Sequence, residues 1–265
     1  MSQEQTHFDR VAEQYDAVFP AHIAAHYLRK RTRLIGGLLR GPFDGSQGRP
    51  EPFDFAHGPE PFESAHGPEL VEGQRRTGGG LGLDVGCGTG TLMEALRPSG
   101  TVFGADNSLG MLGVLRRSGR GEAVACSVEM LPFADASFDV VFCVAALHHV
   151  AEPGAVRRTI REMVRVARPG GALVIWDHNP RNPYWPRLMR RAPQDTGAER
   201  LIPAEEILRS LEESGVRQAR VMQSGFVPEF VPRLLMPLAR LAEAVVERTP
   251  LLRRFCAHNV VVATK

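Results

Sequence analysis

The run Leu81-Gly82-Leu83-Asp84-Val85-Gly86-Cys87-Gly88-Thr89-Gly90 decides the fold. An apolar stretch, Leu81 to Val85, leads straight into three glycines at alternate positions, and the more helical Thr91 to Arg97 follows. That order predicts a buried strand, a tight turn and a helix start. Each glycine lets the backbone come close to a ligand, because no Cβ stands in the way. Free N–H groups at the new helix N-terminus favour anionic or polar ligand groups.

Two neighbouring stretches strengthen this reading. Thr101-Val102-Phe103-Gly104-Ala105-Asp106 predicts a second strand ending in an acid. A carboxylate there suits two ribose hydroxyls, although a helix N-cap is the alternative role for Asp106. Val140 to Ala146 is fully apolar, as a strand buried on both faces of a parallel sheet would be. It runs out into His148 and His149, at the sheet end where ligands sit. Either histidine could accept a proton near neutral pH, or simply support the loop. A dinucleotide turn needs its third glycine three places after the second. Thr91 stands there and Gly90 comes early, which weakens a pyrophosphate reading.

D-V-G-C-G-T-G, residues 84–90, resembles motif I of the class I S-adenosylmethionine-dependent methyltransferases. Asp106-Asn107-Ser108-Leu109-Gly110-Met111-Leu112 is similar to that family's D-x-S-x-x-M-L. Ala125 to Phe133 is similar to its x-D-A-E-x-L-P-F, with Ser127 where the family has an acid. Ser137 to Val150 resembles S-F-D-x-V-x-x-x-x-x-L-H-H, and not the N-P-P-Y type linked to amide or nucleobase nitrogen. Arg168-Pro169-Gly170-Gly171 resembles the family's turn into a buried strand, the family's small-molecule branch being methyltransferase type 11. His178-Asn179-Pro180-Arg181-Asn182-Pro183 is similar to a string in a subgroup of uncharacterised methyltransferases; Asp177 and His178, at the C-terminal edge of that strand, would face substrate or form a turn. His7 to Asp16 resembles the small-molecule branch's F-D-x-x-A-x-x-Y-D opening.

The resemblance implies a Rossmann-like α/β fold. Its sheet would have seven mainly parallel strands with an antiparallel last strand, and helices on both faces. The implied cofactor is S-adenosyl-L-methionine. Gly86, Gly88 and Gly90, with Cys87, would hold its methionine end, and Asp84 its amino group. Asp106 and Asn107 would take the ribose. Met111 and the loop Ser127, Val128 and Glu129 would take the adenine, with Ala145 also at the cofactor. Tyr15 would belong to an N-terminal lid. Ser127 removes a charge-assisted bond, which bears on affinity more than on cofactor identity. The implied chemistry is direct displacement by a small-molecule or lipid-like acceptor, with His148 or His149 as base and no metal. Two other readings stay open: a nucleotide-dependent oxidoreductase on a similar fold, and a cofactor-binding protein without turnover.

The 265 residues suffice for one large domain, and 43% apolar content is ordinary for a globular chain. A net charge of +2, from 32 basic and 30 acidic residues, gives no general pull toward nucleic acid. Four cysteines without a C-x-x-C pair, and no apolar leader at the start, suggest a cytoplasmic chain. No uncharged run reaches the roughly 18 residues of a membrane span. Residues 7–40 predict a helical lid and 81–180 the cofactor-binding core. Between them, residues 41–80 hold the tandem repeat PFDFAHGPE-PFESAHGPE and predict a disordered insertion. Ala155 to Arg168 predicts an amphipathic helix stopped by Pro169-Gly170-Gly171. Within 181–265, residues 230–254 predict either a helical cap over the substrate pocket or an interfacial helix for a lipid-like substrate. Peripheral membrane contact and oligomeric state are left open.

Overall fold

The computed structural model describes residues 3–41, 79–189 and 197–265. The tandem repeat lies outside these residues, as does nearly all of the expected insertion at 41–80.

The N-terminal part holds α1 (Gln3–Val11), a 3-10 stretch (Ala12–Ala17) and α2 (Ala21–Leu39). Pro20 separates the last two: with its fixed φ it serves as the N-cap of α2, so residues 7–40 are two helices and a tight turn, not one rod. Next come β1 (Leu81–Val85), α3 (Thr91–Leu96), β2 (Thr101–Asp106), α4 (Leu109–Arg117) and β3 (Glu122–Ala125). β4 (Phe138–Val144), α5 (Leu147–Val150), α6 (Pro153–Val166) and β5 (Ala167–His178) complete the core. The chain ends with α7 (Trp185–Met189), α8 (Ala204–Glu213), β6 (Gln218–Ser224), α9 (Met236–Arg248) and β7 (His258–Thr264).

The seven strands form one sheet in the order β3-β2-β1-β4-β5-β7-β6. Neighbours from β3 to β5 pair in parallel, and β7 runs antiparallel to both β5 and β6. Alternation along each strand splits the core in two. Leu83, Val85, Val141, Cys143 and Ile175 face α6 and α8. Val140, Phe142, Val174 and Trp176 face Ile35 and Leu39 of α2 and Leu96 of α3. Val260, Val261 and Val262 make β7 apolar on both faces, which suits its place between β5 and β6.

The helix ends follow from local chemistry. Glu152 caps α6, accepting N–H bonds from Gly154 at 2.8 Å and Ala155 at 2.6 Å, with Pro153 in the first turn. Its apolar face, Val156, Ile160 and Met163, is fully buried. This helix stops at Val166, before Pro169-Gly170-Gly171. Ala167 already pairs with Phe138, and the register then shifts before Val140 meets Ala172. The Pro–Gly–Gly segment is thus an irregularity inside β5, with Gly170 at φ 75°.

The order of strands puts the chain reversal between β1 and β4, where connections leave for opposite edges. Gly86, at φ 79°, turns the chain there, and a Cβ on it would lie 2.5 Å from the Ala146 Cβ. A Cβ on Gly88, at φ 52°, would meet nothing within 4 Å. Gly88→Ala is therefore expected to cost only the left-handed penalty, about 1–2 kcal/mol. Gly86→Ala adds the clash and should cost more, about 2–4 kcal/mol. Urea midpoints of the two variants check the ranking; equal losses would contradict it.

Candidate functional site

A cavity of about 1040 Å³ opens along the carboxyl ends of β1, β2, β4 and β5. Ligand sites of drug-sized molecules occupy roughly 300–1,000 Å³, so two ligands fit side by side.

One end is made by the glycine turn and β2. Asp106 is buried, and its two carboxylate oxygens accept backbone N–H bonds from Gly88 at 2.8 Å and Ser108 at 2.9 Å. One acidic side chain thereby ties the turn after β1 to the start of α4. Burial raises its pKa, against the pull of those N–H donors. Asp84 lies close by and is pushed up to about 8, first by burial and then by the Asp106 charge. Arg31 of α2 lines the same cavity and opposes that rise. Its Nε is buried without a hydrogen-bond partner among the described residues. A cationic amino group and a carboxylate, as an amino acid end provides, would satisfy Asp84 and Arg31 together.

Most sequence-predicted residues meet at this end. Asp84, Gly86, Cys87, Gly88, Asp106 and Asn107 line it, with Met111 beyond. Ser127, Val128, Glu129 and Ala145 complete the wall. Ser127 Oγ accepts the Glu129 N–H at 3.2 Å, and Glu129 is held by Arg158 Nε at 2.7 Å. Gly90 is not in the wall. It is the N-cap of α3 at φ 77°, and a Cβ there would lie 2.8 Å from Leu115. Its small size serves packing against α4.

The N-terminal segment is fastened across this end by two aspartates. Asp9 accepts from Ser108 Oγ at 2.6 Å and from Gly110 N at 2.7 Å, at the first turn of α4. A Cβ on Gly110 would lie 2.6 Å from the Asp9 Cα. Asp16 accepts from Thr89 Oγ1 at 2.6 Å and Thr91 Oγ1 at 3.2 Å, and pairs with Arg120. Tyr15 lines the cavity beside Phe8, whose ring stands edge-on to His149 at 4.8 Å.

The other end is aromatic and histidine-rich. Asp177, fully buried at the end of β5, is the hub. Its oxygens accept the backbone N–H of His148 at 2.9 Å and of His178 at 2.7 Å. The rings of His148 and His178 reach the same carboxylate through Nδ1, at 2.6 Å and 3.0 Å. Burial alone would raise Asp177, yet the two histidines hold it well below the usual carboxylate range. An ionised Asp177 makes His148 donate through Nδ1 and leaves Nε2 as the ring's accepting nitrogen. Burial, then His148, lowers His149 to about 4 and His178 to about 3. Of the two predicted bases, His148 has the buried Asp177 carboxylate at 2.6 Å, while His149 Nδ1 is 3.7 Å from the buried carboxylate of Glu199.

His148, Asp177 and His178 also present atoms within 4.8 Å of one another that could ligate an ion. Ligands around tetrahedral zinc lie about 3.3 Å apart. The 2.6 Å approach and the two backbone N–H bonds fit a hydrogen-bonded relay better.

Sequence reasoning missed several wall residues here. Trp185 lies against His178 with ring centroids 3.6 Å apart and the rings tilted by 51°, and Tyr184, Tyr27 and His258 join it. Arg31 was hidden among the other basic residues of α2. Each lies far along the chain from the glycine motif; Tyr184 and Trp185 directly follow the His178–Pro183 string, but that string does not point to them.

Residues 83–175 match the family model described as a methyltransferase domain. A demethylmenaquinone methyltransferase of Paenarthrobacter aurescens is 41% identical over 119 residues, 42% of this chain and 46% of that protein. The Homo sapiens protein described as probable tRNA methyltransferase 9B is 36% identical over 103 residues, 39% of this chain and 22% of that protein. The chain spans about half the length, or less, of these curated relatives. A SAM-dependent methyltransferase structure from Thermotoga maritima, described as a possible histamine N-methyltransferase, superposes with a TM-score of 0.54 at 22% identity. It covers 70% of this chain and 82% of its own. Another, from Archaeoglobus fulgidus, gives a TM-score of 0.53 at 17% identity, covering 70% and 86%. Strand order, glycine turn and family match agree: residues 83–175 match a methyltransferase domain, and the chain has the fold of class I S-adenosylmethionine-dependent methyltransferases.

Proposed function

We propose that this chain transfers a methyl group from S-adenosyl-L-methionine to an apolar, small-molecule or lipid-like acceptor. The observation that carries the reading is the single cavity, with Asp106 and the glycine turn at one end and the His148–Asp177 pair at the other. When bound, the cofactor supplies a methyl group on a sulfonium, open to in-line attack. Gly86 and Gly88 let the backbone approach its methionine part. Asp84 and Arg31 take the amino and carboxylate ends. Asp106 keeps spare lone pairs for the ribose hydroxyls, and the Ser127–Glu129 loop takes the adenine. Tyr15 and Phe8 roof this end and keep water out.

The acceptor's place is beside His148, Trp185, Tyr184 and Phe230, where flat apolar groups find aromatic faces. His148 Nε2 receives the acceptor's proton, and Asp177 holds the ring and stabilises the imidazolium. These walls favour a lipid-like acceptor. The demethylmenaquinone methyltransferases match less than half of this chain and add only a consistent precedent. The wall lacks the basic groove interleaved with aromatics that nucleic acid needs.

Incubation with methyl-labelled cofactor and cell extract tests the reading: label is expected in the organic-solvent fraction. Label in RNA would overturn the acceptor class, and none anywhere the activity. His148→Gln should cut turnover by about 10²–10⁴-fold, with S-adenosylhomocysteine binding retained. Asp106→Ala should instead weaken S-adenosylhomocysteine binding by about 10–100-fold in calorimetry, the loss of one or two bonds to a charged acceptor.

Asp84 gives a pH signature. With its pKa at about 8, it is protonated in the free protein at neutral pH. A cationic ligand favours the carboxylate, so binding releases a proton and affinity climbs with pH until about 8. The unliganded fold moves the other way. The folded pKa lies above the unfolded one, so stability falls as pH rises from the ordinary carboxylate range to about 8. Asp84→Asn should flatten both slopes; unchanged slopes would assign them to another group.

A further inference from the structure

The inward face of helix α9 is mixed: Met236 and Ala239 pack against Ile23 and Val227, and two engaged acids lie beside them. Glu243 is buried and accepts from the His26 ring at 3.0 Å, Lys30 at 2.6 Å and the Phe226 N–H at 2.7 Å. Burial alone would raise Glu243, but His26 and Lys30 hold it at about 2. Glu247, one turn on, pairs with Lys30 and accepts the Gly225 N–H at 2.7 Å.

The outward face is apolar. Leu234, Leu238, Leu241 and Val245 recur at helical spacing and are 88%, 65%, 63% and 54% exposed. Leu251 and Leu252 extend the strip into the turn beyond. A helix packed on a water-soluble core turns a polar face outward, and a contiguous exposed strip of this kind marks a contact surface. None of the α9 residues lines the cavity, so of the two sequence expectations for 230–254 the helix itself is no cap. Its flanks reach the site instead: Phe230 and Phe255 line the cavity while 70% and 40% exposed. The apolar strip and the mouth of the cavity are therefore continuous.

Charge selects the occupant. Arg233, Arg240, Arg248, Arg253 and Arg254 are all exposed in this segment, while both of its acids are turned inward. A second copy laid face to face would set arginines against arginines. An anionic lipid surface offers the opposite charge to the arginines and an apolar boundary to the leucines.

We propose that α9 and its flanking turns seat on an anionic lipid bilayer, so that an apolar acceptor passes from the lipid through the Phe230–Phe255 mouth. The acceptor's route rests on the methyl-transfer reading above; the docking itself does not.

The test is co-sedimentation of the full chain with phosphatidylcholine vesicles, with and without phosphatidylglycerol. Binding is expected to the phosphatidylglycerol vesicles, to fall with added salt, and to drop about tenfold or more in Leu238→Glu/Leu241→Glu. Both side chains are exposed, and S-adenosylhomocysteine calorimetry on the same samples confirms an intact cofactor site. A wild-type chain that binds S-adenosylhomocysteine but stays in the supernatant overturns the docking and leaves methyl transfer standing. Vesicle binding without S-adenosylhomocysteine binding supports the docking and sinks the proposed function. Equal binding by the double variant overturns the docking. So does light scattering that shows a wild-type dimer which the variant splits.

Discussion

The Asp106 carboxylate is the constraint on which the cofactor end depends. It stands at the tip of β2 and accepts N–H bonds from the turn after β1 and from the start of α4. Without it, two backbone donors in a buried place would lack partners, at a cost of roughly 1–3 kcal/mol each. The three segments would also lose their common anchor. The same anchoring recurs outward. Ser108, whose N–H binds Asp106, gives its hydroxyl to Asp9 and its oxygen to the Met111 N–H. The roof over the cavity and the floor beneath it thus share a chain of polar contacts only a few bonds long.

The sheet and the cofactor end were legible in the sequence because their signals are local. Strand runs of Val, Ile and Leu buried on both faces cannot be mistaken for loops, and Gly86 and Gly88 mark a turn that no residue with a Cβ makes easily. Met111, Ser127 and Glu129 sit next to such signals in the chain. Gly90 shows where the local reading overreaches. The spacing that singles it out is the same, but its missing Cβ makes room for Leu115. Other wall residues were illegible for the opposite reason. Arg31 at the cofactor end, and Tyr27, Trp185 and His258 at the other, come from α2, α7 and β7 and converge only through tertiary packing. Even the histidine pair was half-read. Both His148 and His149 stand in the motif, but what separates them is Asp177, on the neighbouring strand, which holds one ring and not the other.

The two ends of the cavity differ in how they handle charge. At the acceptor end the protein supplies its own counter-charges: Asp177 is fully buried, yet four N–H groups keep it ionised. That arrangement is complete before any ligand enters, which is what a general base needs if its ring is to be fixed in one tautomer. At the cofactor end the protein leaves charges unfinished. Asp84 is buried and feels the Asp106 charge, and the Arg31 Nε has no partner among the described residues.

That contrast argues for the order of assembly. Two carboxylates near one another in a buried site cannot both stay ionised without a cation between them. A sulfonium and an ammonium on one ligand are such cations, and a carboxylate on the same ligand answers Arg31. An amino acid end answers Asp84 and Arg31 and a nucleoside end answers Asp106, so a fragment bearing one of them captures only its own share. The acceptor end holds no comparable unfinished charge: Asp177 is already satisfied, the buried Nδ1 atoms of His149 and His258, which lack hydrogen-bond partners among the described residues, are uncharged at neutral pH, and its walls are aromatic. Under the proposed function, cofactor capture is electrostatic and pH-linked, while acceptor capture is apolar. An apolar ligand gains from a route that avoids water, and the exposed strip of α9 meets the cavity at the acceptor end.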